Sequence, residues 1–175
     1  MSTGARWGPD ALVALLAQRS LTVPTRDADR TVVHRLIQRV TRDRCRQAGD
    51  LDAVVSAAAD ALHAAADEAG GRWSERALLG EYADHAVALW QQPVADPLRP
   101  RLLALRGRML FLLNQAHSHA TSLIIGPGLV ADCERVLGPD HPDTLASRNN
   151  LAAAYRAAGR PDDAYPARRQ GQRPR

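Results

Sequence analysis

The apolar positions of the chain fall mostly at helical spacing. From Asp10, a residue type that caps helices, Leu12, Val13, Leu15 and Leu16 predict a short amphipathic helix over about 10–19. LTVPT at 21–25 and TVV at 31–33 enclose the polar RDADR and predict two short strands around a turn, with Pro24 confining the first to an edge or an end. Over 34–47 a second helix is predicted. Val33, Leu36, Ile37 and Val40 form one face, and Arg35, Arg39, Arg42 and Arg46 form another.

Further along, the alanine-rich 50–68 predicts a helix stopped by Gly70 and Gly71. Another follows over 73–92, whose Trp73, Tyr82 and Trp90 are expected to build the core of the middle of the chain with Leu78, Leu79 and Val87. QQPVADPLRP, with Pro93, Pro97 and Pro100, is either a domain boundary or an ordered turn. A helix is predicted over about 102–115. The next stretch, HSHATSLIIGPGLVADCERVLG, is helical in outline, but Pro127 between Gly126 and Gly128 is expected to break or kink it, because proline lacks the N–H and clashes with the preceding turn. In 133–164, Asp140 and Asp143 with Pro139 and Pro142 predict a rigid loop and an N-cap, and Leu145, Leu151, Ala152, Tyr155 and Ala164 follow a helix, Gly159, helix pattern.

Composition narrows the chemistry. The chain of 175 residues is 45 % hydrophobic, 24 % charged and only 4 % aromatic, which favours a mostly helical globular protein over a β-sandwich. All 23 basic residues are arginines, so lysine Schiff-base chemistry, a lysine general base and a P-loop lysine are excluded for this chain. Arg168, Arg169, Arg173 and Arg175 account for the excess of 23 basic over 19 acidic residues, so the body is neutral and a broad nucleic-acid footprint is not expected. Cys45 and Cys133 stand far apart with no CxxC, which fits free thiols in a reducing compartment. No apolar run is long enough to span a bilayer, so a cytoplasmic protein without membrane contact is expected.

The string CERVLGPDHPDTLASRNNLAAAYRAAGRPDDA resembles a tetratricopeptide repeat, of the type about 42 residues long found in kinesin light chains and bacterial signalling proteins. Its signature positions fall on Leu151, Ala152, Tyr155, Gly159 and Ala164, where small residues allow close helix approach and Tyr155 fills the gap between hairpins. One repeat length back, Leu151 maps onto Met109, Tyr155 onto Leu113 and Ala164 onto Ser122, a degenerate unit. After Ala164 the apolar period stops at YPARRQGQRPR, so the last repeat is expected to be truncated, with an open end available for self-association. The order helix, hairpin, VVHRLIQRVTRD resembles the winged-helix region that follows the nucleotide-binding domain of NB-ARC proteins of the STAND class. That resemblance makes His34, in the Val33-His34-Arg35 counterpart of an MHD-type motif, a nucleotide-sensing residue and the chain a C-terminal fragment of such a signalling protein.

The expectation is an all-α fold: a TPR-like array of helical hairpins preceded by a partial winged helix with one small β-hairpin. Its parts are a winged-helix-like segment at 1–48, a helical linker at 49–100, degenerate and truncated repeats at 101–165, and a disordered basic tail at 166–175. The arginine stripe of 35–46 is read as a solvated face paired with acids such as Asp43 rather than as a phosphate contact. His117, His119, Cys133 and His141 have no spacing that fixes a metal, and no group of residues is arranged for catalysis. The chain is therefore expected to act without enzyme activity, metal or cofactor, as a module that binds a protein or peptide partner. The tetratricopeptide resemblance implies that Asn149, Asn150 and Arg156 face inward and makes them the candidate partner-binding residues, where asparagine amides can bond peptide backbone and arginine adds a carboxylate contact. The alternative is an ADP-sensing or DNA-linked regulator acting through the winged-helix segment.

Overall fold

The computed structural model describes residues 22–24, 31–33 and 35–164, with side chains over 38–163. They belong to two compact units, Met1–Leu51 and Asp52–Arg175. In the first, strand β1 (Thr22–Pro24) pairs antiparallel with β2 (Thr31–Val33), Val23 opposite Val32, and helix α1 (Arg35–Ala48) follows. Pro24, which has no N–H for a ladder, stands at the end of β1. On α1, Asp43 accepts from Arg46 at 3.1 Å and lies 3.9 Å from Arg39, while Arg42 donates to the Gln38 carbonyl. These arginines thus meet acceptors on their own helix. The helix expected at 10–19, His34 and the tail at 166–175 lie outside the described residues.

The second unit is built of helices. After α2 (Leu51–Ala69) come α3 (Arg76–Trp90), α4 (Arg99–Gln115), α5 (His119–Val136) and α6 (Pro142–Ala157). Short 3-10 turns at Trp73–Glu75 and Asp96–Leu98 join α2 to α3 and α3 to α4, and a third, Pro161–Ala164, follows α6. The proline-rich segment is an ordered turn within this unit. Arg99 donates to the carbonyls of Trp90 and Gln92 at 2.6 and 3.1 Å, closing the end of α3, and the Ala95 N–H donates to Asp52.

Leucine and alanine, rather than aromatics, fill the interior. Leu103, Leu110, Leu129 and Cys133 form a buried cluster between α4 and α5, flanked by Trp90, Ile125, Val136 and Leu137. On α3 the buried positions are Leu79, Ala83 and Ala86, one stripe at helical spacing. The aromatic core expected for the middle of the chain is corrected accordingly: Trp73 is 57 % exposed, and Tyr82 and Trp90 are only partly buried. The alanines let α3 close on its neighbours, leaving the large rings at the rim, where Arg76 stacks on Trp73 at 4.0 Å. Burial pushes the Cys133 thiol up, above its ordinary value, so it stays protonated among the leucines.

The expected break at Pro127 and the expected aspartate cap are both corrected. Helix α5 runs unbroken through Gly126-Pro127-Gly128. Pro127 and Gly128 lie on its exposed side, while Ser122, Gly126, Leu129, Val130 and Cys133 bury the other side and hold the helix together. Gly126 is needed for contact: a Cβ there would lie 2.7 Å from the Leu151 Cδ1 of α6. The cap of α6 is His141, not an aspartate. Its Nδ1 accepts from the Asp143 N–H at 3.2 Å, Pro142 occupies the first turn, and Thr144 donates to the Gly138 carbonyl.

Candidate functional site

Helices α4 and α6 occupy equivalent places 42 residues apart. Leu102, Leu105, Arg106, Met109 and Leu112 of α4 are buried, and so are Thr144, Ser147, Arg148, Leu151 and Ala154 of α6. The buried arginines share a role. Arg106 donates to Asp132 and Arg148 to Glu134, both at 2.7 Å, and both acids stand on α5. Burial works to raise the Asp132 carboxyl, but hydrogen bonds and charge from Arg106 and Arg135 outweigh it and hold it below its ordinary 3.8. Across the gap between the equivalent helices, the Asn114 amide donates to the Asn150 carbonyl at 2.8 Å.

These two helices and α2 line a groove of about 270 Å³. Ala104 and Gly107 of α4 and Ala146 and Ser147 of α6 line it, and their small size leaves the space open. Polar groups surround this floor: His63 from α2, Arg108 from α4, and Asp143 and Asn150 from α6. Helix α2 is fixed against α4 by two arginine–aspartate pairs, Arg101 with Asp60 and Arg108 with Asp67. The Arg108 hydrogen bond, with help from His63 at 3.1 Å, holds the Asp67 carboxyl below its ordinary value despite the opposing effect of burial. The groove therefore presents a cation and an imidazole that share one acid, Asp67, together with a carboxylate and an amide. It suits hydrogen bonding to an extended polar chain better than capture of a strongly charged ligand.

The structure separates the three candidate partner-binding residues. Asn150 lines the groove. Asn149 and Arg156 are exposed, and at about 100° per residue they share a face of α6 roughly a quarter turn from Asn150. Of the repeat-packing residues, Leu151 is buried against Gly126, Ala152 and Tyr155 are partly buried, and Gly159 takes φ 72° just past the end of α6. Ala164 closes the last 3-10 turn. Sequence reasoning does not single out His63 or Arg108, and it reads Asp143 only as part of the loop and cap before α6. The repeat length could have found Arg108, since it stands 42 residues before Asn150.

A family model described as Tetratricopeptide repeat matches residues 111–165. That stretch carries α5, α6 and the turn of α4 that leads into them. The equivalence of α4 and α6 extends the same pattern upstream of the match. No curated protein and no solved structure matches the chain. Among the described residues no helix is long and apolar enough to cross a membrane, and no group of three or more His, Cys, Asp or Glu could hold a metal.

Proposed function

We propose that the chain is a non-enzymatic protein-binding module that takes an extended peptide segment of a partner into the groove between α2, α4 and α6. The observation that carries this reading is the groove itself, floored by small residues and edged by Arg108, Asp143 and Asn150, with its α6 side on a segment similar to a tetratricopeptide repeat. The Asn150 side-chain amide, at the lining of the groove, has no hydrogen-bond partner among the described residues and so keeps its donors and its oxygen for a ligand, while the Asn150 backbone carbonyl accepts from Asn114. The finer reading is a repeat of the kinesin-light-chain type in a fragment of an NB-ARC signalling protein. LGPDHPDTL followed by NNLA supports the first part, and the paired strands before α1 support the second. Self-association through the repeat end has support in Leu145, which is 45 % exposed where its counterpart Leu103 is 1 % exposed.

A partner recovered by affinity capture with the full chain tests this. Asn150→Ala should weaken its binding by about 0.5–1.5 kcal/mol, the net value of one hydrogen bond, read by calorimetry. Asn149→Ala and Arg156→Ala should leave it within error. Equal losses from all three changes, in protein with unchanged circular dichroism, would move the contact to the outer face of α6.

A further inference from the structure

A second cleft, of about 550 Å³, opens where the end of α3, the start of α4 and the end of α5 meet, and it shares no lining residue with the groove. Trp90, Pro100 and Val136 give it flat apolar surface, and Asp96, Arg99 and Arg135 give it charge. Three guanidinium groups gather around the Trp90 ring, Arg99 at 4.8 Å, Arg106 at 5.3 Å and Arg135 at 5.9 Å from its centre. Attraction to the indole face accounts for part of this, yet like charges this close repel.

The carboxylates beside them do not balance the charge. Asp132 gives one oxygen to Arg106 and the other to Arg135, each at 2.7 Å, so a single negative charge serves two cations. Arg99 makes no ion pair among the described residues, since its two terminal nitrogens donate to the backbone carbonyls of Trp90 and Gln92. Asp96 stands in the wall, likewise without an ion pair there. Three cations against two anions leave one positive charge, and Arg99 and Arg135 line the cleft with N–H donors to spare, because a guanidinium carries five and these make two and one of the hydrogen bonds found. A group of charge −1 restores neutrality. A phosphate dianion overshoots it and meets Asp96.

We propose that this cleft binds a carboxylate side chain on an Asp- or Glu-rich segment of a protein partner, held by Arg99 and Arg135 over the Trp90 ring. The protein-binding reading supplies only the carrier of the carboxylate, and the site is independent of the groove.

Fluorescence anisotropy of the full chain with a labelled oligoglutamate peptide tests it. Saturable binding is expected, weakened roughly tenfold by Arg135→Gln, as for loss of one charge-assisted hydrogen bond. Arg135 is 65 % exposed, so this variant should keep its fold. Arg99→Gln should weaken binding similarly in protein whose helical signal is intact, Asp96→Asn should tighten it several-fold, and Asn150→Ala should not change it. Absence of saturable binding, or equal affinity in Arg135→Gln, overturns the proposal. Loss of binding in Asn150→Ala would place the peptide in the groove and overturn it too. Inorganic phosphate competing at concentrations where acetate does not would make this a phosphate site, again overturning it.

Discussion

Truncating Leu151 to alanine should destabilise the second unit by about 2–5 kcal/mol, the range for a buried leucine that leaves a cavity. Leu151 is 5 % exposed and its Cδ1 fills the notch that Gly126 leaves in α5. The notch also gives the expected rescue. In the intact chain Gly126→Ala puts a Cβ 2.7 Å from Leu151, so a contact penalty offsets the better helix propensity of alanine. In the Leu151→Ala background that contact is gone, the new methyl group occupies part of the cavity, and the propensity gain of up to about 1 kcal/mol remains. Urea unfolding followed by circular dichroism should therefore show a double variant more stable than Leu151→Ala alone. Additive losses would mean that α5 and α6 do not interlock at this point.

Arg148→Ala should cost about 2–3 kcal/mol. Its guanidinium donates to Glu134 through Nε and Nη2 at 3.1 and 2.7 Å and to the Pro139 carbonyl at 3.1 Å, with its side chain only 8 % exposed. Removal leaves an acid and a carbonyl facing apolar surroundings. Breaking a fully buried pair costs about 3–5 kcal/mol, and the lower figure applies because Glu134 keeps 29 % exposure and can draw water. Replacing both partners by apolar residues, Arg148→Met with Glu134→Leu, should recover most of the loss, since no uncompensated charge then remains. Thermal unfolding of the single and double variants decides this. A double variant no more stable than Arg148→Ala would show that the loss does not come from the charge left on Glu134.

What could be read from the chain follows what each residue reports. The helices of the second unit were legible because Leu and Ala recur at helical spacing and glycines such as Gly70 and Gly159 mark their ends. The repeat was legible because LGPDHPDTL and NNLA are strings with packing reasons behind each position. Pro127 misled because a local rule about a missing N–H gave way to burial along the opposite side of α5, which only the fold reveals. Trp73 and Trp90 misled because ring size was taken to mean interior, whereas alanine stripes fill this interior and the rings serve arginines at the rim. The groove itself was half legible. Asn150 came from the repeat string, but His63 and Arg108 are contributed by helices far away in sequence, and no local pattern brings them together.

In a stacked array each hairpin leans only on its neighbours, so opening can start at an end and travel inward one interface at a time. Helix α5 alters that sequence of events. Through Asp132 it grips the helix before it and through Glu134 the helix after it, two residues apart on one segment. Fraying α6 therefore releases a charge on the same turn that anchors α4. The three helices are thereby expected to open as one unit, with amide exchange in α4, α5 and α6 slowed to a common level set at the middle of the hairpin array.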